Sequence, residues 1–369
     1  MSNNKHYFPN LNSLRFIAAL FVIIHHVEQF KEFLGYQNYS QLPFIKLIGK
    51  FGVILFFVLS GYLITYLLLM EQNKNGNISL KQFYIRRILR IWPLYFIIII
   101  LAFFITPEIN FLKIDGLTEH IHENFLIKIF LYVFFLPNLA LALFPIIPFI
   151  SQLWSVGYEE QFYIIWPILI KKIKNKQLIF LTVILFFIIL KILTYFVFKD
   201  FLIQMNYFKN VDFFFKMPSI NCMAIGAWFA YLLHRKSYLL NFIFDKRTQF
   251  LNYLLLSFFV IFGINIPFFN SEFYSLSIAI MLINLSANTN TILNLENRAF
   301  NFLGKISYGL YMFHPLMIVI VLKSFNHLNI KNIFLENITS LLLTIIISFF
   351  SYNFVEKRFI LMKEKFKKN

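Results

Sequence analysis

The sequence predicts an all-α membrane protein, a polytopic bundle of about ten transmembrane helices, on three observations. Hydrophobic residues make up 59% of the 369 residues and charged residues only 14%, whereas a typical soluble domain has about 25% charged residues. Apolar stretches recur at the length of about 17–25 residues that crosses the hydrocarbon of a bilayer. Basic residues lie mainly in the polar segments between these stretches, which is the pattern of loops that stay on the cytoplasmic side.

The apolar stretches define the order of the predicted spans. Residues 125–150 are also apolar, but Pro137, Pro145 and Pro148 interrupt them, so we predict a re-entrant or broken segment there instead of a full span. With this choice both termini, the loop 171–176 and about 22 of the 34 lysines and arginines lie on the cytoplasmic side. The predicted spans are residues 11–30, 50–70, 88–105, 155–170, 177–198, 213–233, 249–268, 273–288, 306–322 and 332–354.

Composition also limits the expected partners. The net charge of +17 would indicate nucleic-acid binding in a soluble protein, but here it follows from the cytoplasmic loops, so the expected partner is the lipid bilayer and not nucleic acid. The single cysteine, Cys222, permits no intramolecular disulfide, and the histidines form no H-x-x-x-H pair. We therefore expect no metal site and no permanently bound cofactor. Residues 1–356 are expected to form one transmembrane domain, followed by a basic cytoplasmic tail at residues 357–369.

Two ionisable positions lie inside the first predicted span, LNSLRFIAALFVIIHHVEQF. On an α-helix, Arg15 and His26 are about 16 Å apart along the axis and about 20° apart around it, whereas His25 lies about 80° away. An ionisable residue inside a membrane is costly and usually faces a protein interior or a wet cavity, and imidazole can serve as a general base. The alternative is that Arg15 snorkels to the interface while His26 caps the span.

Three arginines stand near the start of the third predicted span, in FYIRRILRIWPLY. Arg87 and Arg90 are one helical turn apart, and Arg86 precedes them. An arginine pair at this spacing can bind phosphate oxygens bidentately, from the cytoplasmic side. The alternative is an ordinary basic stop, followed by a Trp-Pro anchor at the interface.

The segment QLWSVGYEEQFYIIWP carries two adjacent carboxylates, Glu159 and Glu160, at the start of a span. Adjacent residues do not share one helix face, so we expect at most one of them to point into the bundle. There it could orient a histidine or accept a proton. The alternative is a capping arrangement, in which Ser155 precedes an acidic first turn that complements the helix dipole.

A stripe of polar residues is predicted in the late segment LGKISYGLYMFHP. Tyr308, Tyr311 and His314 recur every third residue and therefore lie close to one side of a helix. A lone histidine on an apolar helix is more often a hydrogen-bonded structural group than a ligand, and the two tyrosines favour a functional role only modestly. The second predicted span carries small residues that indicate close contact between helices instead of chemistry: Gly52, Ser60 and Gly61.

The order of these motifs resembles the acyltransferase-3 family, polytopic membrane enzymes that O-acylate glycans and other extracytoplasmic acceptors. LNSLRFIAALFVIIHH, FFVLSGYLIT, FYIRRILRIWPLY, LWSVGYEEQFYIIWP and LGKISYGLYMFHP follow one another as they do in that family, and the resemblance covers nearly the whole chain. It implies an O-acyltransferase of the bacterial inner (plasma) membrane. The expected donor is cytoplasmic acyl-CoA, with acetyl-CoA favoured, and the expected acceptor is a hydroxyl of a cell-surface saccharide or lipid-linked glycan.

The resemblance also implies roles for individual residues. The family's first span carries an essential arginine and a catalytic histidine with ten residues between them, which match Arg15 and His26. We expect one of the two carboxylates to orient His26. The candidate catalytic residues are thus His26, Arg15, Glu159 and Glu160. The family's donor-binding arginine pair matches Arg87 and Arg90, with Arg86 beside them. The candidate substrate-binding residues are Trp154, Ser155, Tyr158, Tyr308, Tyr311 and His314.

The sequence departs from the family pattern at a few positions. Asn12 and Phe16 stand where many members have an acidic residue and a glycine, next to the arginine of the first span. Gly157 and Tyr158 replace the middle alanine and valine of the W-S-L-A-V-E-E pattern, and we expect the bulky Tyr158 to reshape the acceptor pocket. Gly309 replaces the second serine of S-Y-S-L-Y. Some members carry a C-terminal esterase-like domain, and for this sequence we expect direct transfer or a separate partner protein.

Two other functions fit a helix bundle with buried polar residues. A lipid-linked glycan transporter or flippase would need such residues too, but it would move its cargo unmodified. An acyltransferase acting on a small molecule or a lipid would use the same donor with a different acceptor. A glycan polymerase would be expected to carry acidic or arginine pairs in a large outer loop, whereas the outer loops here are short apart from residues 106–155.

Overall fold

The computed structural model describes residues 8–204, 210–211, 214 and 220–365, and its regular structure is helical. No β-strand occurs within these ranges. The α-helices are α1 (Leu11–Phe33), α2 (Pro43–Asn75), α3 (Leu80–Ile100), α4 (Phe125–Val133), α5 (Pro137–Leu143), α6 (Leu153–Lys172), α7 (Lys176–Ile192), α8 (Lys199–Gln204), α9 (Ile220–His234), α10 (Leu239–Phe244), α11 (Lys246–Ile261), α12 (Asn270–Ala287), α13 (Arg298–Lys305), α14 (Ser307–His327), α15 (Ile333–Ser351) and α16 (Lys357–Lys365). Turns of π-helix follow α3, α7 and α15 at Leu101–Ile105, Leu193–Val197 and Tyr352–Glu356, and 3-10 turns occur at Thr106–Glu108, Asn110–Leu112 and Glu119–Ile121.

Six helical segments of the described chain are long and apolar enough to cross a membrane, which confirms the prediction of an all-α protein with several spans. The predicted span 50–70 was too short. Helix α2 begins at Pro43, because proline suits the first helical turn, and it ends at Asn75, because the next residue, Gly76, has a left-handed φ of 70°. The predicted span 213–233 begins in residues that are mostly outside the described ranges, and from Ile220 it is helix α9. The six segments are Leu11–Phe33, Pro43–Asn75, Leu80–Glu108, Lys176–Val197, Ser307–His327 and Ile333–Met362.

Small residues bring the central helices into backbone contact. A Cβ atom added to Gly61 of α2 would lie 1.9 Å from the Met223 carbonyl oxygen of α9, so only glycine fits there. At Gly52 an added Cβ would lie 2.6 Å from the Ala18 carbonyl oxygen of α1. Helix α2 therefore packs directly on α1 and α9, and the close contact predicted for these two glycines is confirmed.

The proline-interrupted segment is broken into two short helices. Helix α4 has 9 residues and α5 has 7, and both are shorter than the roughly 17 residues that a spanning helix needs. They are held against α6, because Gln161 Nε2 donates to the Phe135 carbonyl oxygen at 3.0 Å. An added Cβ on Gly157 would lie 2.7 Å from Pro137 Cδ. The predicted broken segment is thus confirmed, and it packs beside the helix that carries the two carboxylates.

The loops of the bundle gather at two ends. At one of them, which we call the basic end, Lys171 Nζ donates to the Ile78 carbonyl oxygen at 3.0 Å and Asn73 contacts His234 at 3.0 Å. At the opposite end, Lys31 Nζ of α1 pairs with Glu336 of α15 at 2.8 Å. Helix α1 therefore runs from the basic end towards the opposite end, as do α3 and α14, whereas α2 and α6 run the other way.

Candidate active site

Two cavities follow one another along the same four helices, α1, α2, α6 and α14. The one nearer the basic end has a volume of about 260 Å³, and we call it the arginine cavity. The one nearer the opposite end has a volume of about 460 Å³, and we call it the histidine cavity. The polar side chains lining the first are Arg15, Ser60, Arg87, Arg90, Ser155, Glu159, Tyr163, Ser307, Tyr308 and Tyr311. Those lining the second include His25, His26, Gln29, Lys46, Lys50, Ser151, Gln152, Trp154 and Tyr311.

Three guanidinium groups line the arginine cavity. Arg15 Nη1 donates to Asn12 Oδ1 at 3.0 Å, and this neutral amide does not offset the arginine's charge as a carboxylate at position 12 would. Arg87 packs over the ring of Tyr163 at 5.4 Å from the ring centroid, and its Nε atom is buried without a hydrogen-bond partner. Arg90 lines the same cavity. Three positive charges face one carboxylate, Glu159, so the cavity suits a ligand with several phosphate charges.

Glu159 lies in the arginine cavity and is held by two hydroxyl groups. Tyr163 Oη donates to Glu159 Oε2 at 2.6 Å, and Ser60 Oγ donates to Glu159 Oε1 at 3.1 Å. The expectation that Ser60 only marks a helix contact was therefore too narrow. Tyr163 follows Glu159 by four residues on α6, and that spacing was the available sequence signal.

Glu160 points to a different place. Its Oε2 atom accepts a hydrogen bond from Trp92 Nε1 of α3 at 3.0 Å, and its Oε1 atom is buried without a partner. Both carboxylates are thus enclosed by the protein, one in the cavity and one between α6 and α3, so the expectation that at most one would point inward was wrong. Glu160 lines neither cavity. The hydrogen bonds of Glu159 and Glu160 go to groups other than His26, which corrects the expectation that one of them orients this imidazole.

His26 is instead paired with His314 of α14. Its Nδ1 atom lies 3.0 Å from His314 Nε2 and 3.0 Å from the Val22 carbonyl oxygen. His314 Nδ1 lies 3.2 Å from the Leu310 carbonyl oxygen. A carbonyl oxygen only accepts, so with both rings neutral we assign the proton of each imidazole to Nδ1. His314 Nε2 then accepts from His26 Nδ1, and His26 Nε2 keeps a free lone pair, as a general base requires.

His25 has a separate partner. Its Nδ1 atom lies 2.8 Å from the Ile45 carbonyl oxygen of α2. An added Cβ on Gly49 would lie 2.5 Å from the His25 ring, so α1 and α2 are pressed together at this turn. His25 therefore holds the wall of the histidine cavity, and His26 is the histidine that joins the imidazole pair.

Tyr311 stands where the two cavities meet, because its side chain lines both of them. Its hydroxyl lies 2.7 Å from Ser155 Oγ and donates to the Gln152 carbonyl oxygen at 2.9 Å. The Gln152 side chain donates to the Phe149 carbonyl oxygen at 2.8 Å and so ties the loop before α6 to this point. A thin polar boundary therefore separates the guanidinium groups from the imidazole pair.

The other candidate residues divide among three environments. Tyr308 lines the arginine cavity and donates to the Ile91 carbonyl oxygen at 2.9 Å, and Trp154 lines the histidine cavity. Arg86 lines neither cavity and pairs with Glu71 at 3.4 Å, so a part for it in donor binding stays a prediction. Tyr158 is buried, and its ring packs edge-on against the rings of Phe57 and Trp154, the second of which lines the histidine cavity, so its role in the acceptor pocket stays a prediction.

The residue types in the two cavities do not form a metal site. Within the described ranges, no group of three or more His, Cys, Asp or Glu side chains is placed to hold a metal ion. The site consists of guanidinium, carboxylate, hydroxyl and imidazole groups. Such a set can bind phosphates, move a proton and stabilise developing negative charge.

These features define a multi-pass membrane protein with a polar site inside its helix bundle. The profile of the acyltransferase-3 family, described as an acyltransferase domain, matches residues 8–353, and the chain belongs to this family. It is 34% identical to the peptidoglycan O-acetyltransferase OatA of Listeria monocytogenes, over 48% of this chain and 27% of that protein. It is 28% identical to the O-acetyltransferase OatA of Staphylococcus aureus, over 95% of this chain and 57% of that protein.

The similarity to these relatives covers only part of their length. The chain spans between about a quarter and somewhat more than half of the length of these two relatives. No solved structure matches the chain. Family membership therefore rests on the sequence, and the geometry of the site rests on the two cavities described above.

Proposed function

We propose that this chain is an O-acetyltransferase that moves an acetyl group from acetyl-CoA to a hydroxyl of an extracytoplasmic saccharide or lipid-linked glycan. The observation that carries this proposal is the pair of cavities that meet at Tyr311, with guanidinium groups in one and an imidazole pair in the other. The names of the relatives, O-acetyltransferases from two bacteria, favour acetyl as the group transferred. The donor is a substrate here, and no permanently bound cofactor is part of the proposal.

The proposal includes a topology. The basic end is assigned to the cytoplasm, because lysine and arginine are enriched in loops on that side. Helices α1, α2, α3, α6, α7, α9, α11, α12, α14 and α15 would each cross the bilayer of the bacterial inner (plasma) membrane, with both termini in the cytoplasm. Residues 1–356 would form the transmembrane domain and residues 357–369 a basic tail, of which 366–369 lie outside the described ranges. The arginine cavity then opens towards cytoplasmic acyl-CoA and the histidine cavity towards the outer face.

The donor would be held by its phosphates. Arg87 and Arg90, one turn apart on α3, would bind the phosphate oxygens of CoA, and Arg15 would line the path of its extended arm. Arg87 Nε, buried without a partner, is a donor that such a ligand would satisfy. The thioester would then reach the boundary formed by Tyr311 and Ser155.

The transfer step uses the imidazole pair. His26 Nε2 takes the proton of the acceptor hydroxyl, whose oxygen forms a bond to the thioester carbonyl carbon. Ser155 stands at the boundary and would turn its hydroxyl proton from Tyr311 to the oxyanion that develops on the carbonyl oxygen, while Tyr311 keeps its hydrogen bond to the Gln152 carbonyl. The C–S bond breaks, the ester is released, and the thiolate of CoA takes the proton from His26. His314 holds the proton of His26 on Nδ1 throughout, which makes it a positioning residue.

The test uses a strain in which the chain is deleted and then complemented. Surface glycans from the strain carrying the wild-type chain should gain one acetyl group in mass spectrometry, and glycans from the His26→Ala strain should not. His25→Gln is the matched comparison and should retain part of the acetylation, because Gln can still bond to the Ile45 carbonyl. Both variants must accumulate in the membrane fraction. Wild-type acetylation in the His26→Ala strain would overturn the assignment, and glycans that move without gaining mass would favour a flippase.

A further inference from the structure

The Arg87 side chain is held by aromatic rings, whereas the side chain of its neighbour Arg86 is held by a carboxylate. The Arg87 Cζ atom lies 5.6 Å from the centroid of the Phe83 ring and 5.4 Å from the centroid of the Tyr163 ring. Arg86 pairs with Glu71 at 3.4 Å. The face of an aromatic ring attracts a guanidinium group without taking up the hydrogen bonds that a carboxylate accepts. Arg87 is thus stabilised while its N–H groups stay available to a ligand.

The two rings that contact Arg87 come from different helices, and we call them the ring pair. Phe83 precedes Arg87 by one turn on α3 and is 3% exposed. Tyr163 lies on α6, is 4% exposed and lines the arginine cavity. The position of the guanidinium group therefore depends on how α3 packs against α6.

The hydroxyl group of Tyr163 tethers the far end of its ring. Tyr163 Oη donates to Glu159 Oε2, one turn earlier on α6, at 2.6 Å, and it lies 3.1 Å from Ser60 Oγ of α2. Ser60 Oγ donates to the other oxygen of the same carboxylate at 3.1 Å. Rotation of the Tyr163 ring away from Arg87 would break the hydrogen bonds of its hydroxyl group, so these bonds keep the ring under the guanidinium group.

One donor of Arg87 is left open by this arrangement. Its Nε atom is buried and has no hydrogen-bond partner. A buried donor without an acceptor is costly, and a ligand that supplies the acceptor removes that cost. Phosphate oxygens suit this position, because a guanidinium group binds them through two parallel N–H groups when its orientation is fixed.

We propose that Tyr163 is a positioning residue of the donor site: its ring, tethered through its hydroxyl group to Glu159 and Ser60, orients the Arg87 guanidinium group towards a phosphate of the donor. The inference rests on the proposed transferase function and adds a residue to it. Because Tyr163 acts through Arg87, its replacement should weaken donor binding only while Arg87 is present.

A double-mutant cycle on CoA binding tests this dependence. The dissociation constant is measured calorimetrically with the full chain in nanodiscs, for the wild-type chain, Tyr163→Leu, Arg87→Gln and the double variant. Tyr163→Leu should raise the dissociation constant about tenfold in the wild-type background, because a desolvated cation–ring contact is lost. The same change should cost less than about twofold in the Arg87→Gln background. An equal factor in both backgrounds would overturn the proposal.

Further variants separate the ring from its surroundings. Tyr163→Phe keeps the ring and should stay within about threefold of the wild-type dissociation constant, whereas Phe83→Leu removes the other ring and should raise it at least about threefold. Phe103→Leu is the matched control, since it removes a buried ring that packs on Tyr132 at 5.5 Å between centroids, outside both cavities. It should leave CoA binding unchanged. Equal losses in Tyr163→Phe and Tyr163→Leu, or a loss as large in Phe103→Leu, would contradict the role of the ring.

Acetyl transfer is scored separately with the same variants. In proteoliposomes Tyr163→Leu should raise KM for acetyl-CoA about tenfold and change kcat less than about twofold, and a fall in kcat alone would overturn the positioning role. Coupled CoA binding without any glycan acetylation by the wild-type chain would support the positioning role and count against the transferase function. Acetylation by the wild-type chain with unchanged CoA binding in Tyr163→Leu would support the transferase and overturn the positioning role. Absence of CoA binding to the wild-type chain would overturn both.

Discussion

Replacement of His314 tests the imidazole pair most sharply, because this residue is fully buried and lines neither cavity. In His314→Leu, His26 Nδ1 loses the acceptor at 3.0 Å but keeps the Val22 carbonyl oxygen, also at 3.0 Å. One net hydrogen bond is worth about 1 kcal/mol, and 1.36 kcal/mol corresponds to about tenfold in rate. We therefore expect kcat to fall between about fivefold and tenfold, with little change in KM.

His314→Gln is the matched variant, because its side-chain oxygen can take the place of the Nε2 lone pair and accept from His26. It should keep kcat within about threefold of the wild-type value. The assay is transfer of labelled acetyl from acetyl-CoA by purified protein in proteoliposomes, with the acceptor varied. A merely structural role would lower the amount of folded protein and leave kcat per folded molecule unchanged. That result, or equal loss in the Gln and Leu variants, would refute the assignment of His314.

Two further predictions concern the donor site and the packing of α2. Arg87→Gln should raise KM for acetyl-CoA by about tenfold or more, because a charged hydrogen bond is worth about 1.5–3 kcal/mol, whereas Arg86→Gln, outside the cavity, should change KM by less than about threefold. Equal effects in initial-rate measurements would contradict this division. Gly61→Ala should lower the midpoint of thermal unfolding in detergent, because its Cβ would lie 1.9 Å from the Met223 carbonyl oxygen and overpacking costs about 1–3 kcal/mol. An unchanged midpoint would contradict the close contact of α2 and α9.

The all-α architecture and the positions of Arg15 and His26 were predictable from local patterns. Apolar length identifies spans, and helical periodicity places residues eleven positions apart on one side of a helix. The structure agrees, because these two residues line successive cavities along α1. The broken segment between α3 and α6 was predictable because three prolines lie close together there, whereas the single prolines of α3, α6 and α14 are accommodated inside those helices.

The partners of the site residues were not predictable in the same way. Ser60 bonds to Glu159, 99 residues away, and His26 bonds to His314, 288 residues away. A serine in an apolar helix usually bonds to a carbonyl of its own helix, so nothing local marked Ser60. The orientation of Glu160 towards Trp92 depends on how α6 packs on α3. Helical spacing indicates which residues share one face of a helix. The residues that this face contacts on other helices depend on tertiary packing.

Transfer across a sealed membrane tests the central claim most directly. The protein is reconstituted in vesicles, and labelled acetyl-CoA is added to the external medium, where it reaches only molecules whose basic end faces outward. The glycan acceptor is present both in the lumen and in the external medium. The two-cavity arrangement predicts labelled acceptor in the lumen with the wild-type chain and none with His26→Ala, while both bind the donor equally. Label that appears only on acceptor outside the vesicles, or lumenal label undiminished in His26→Ala, would contradict a route from the arginine cavity to the histidine cavity.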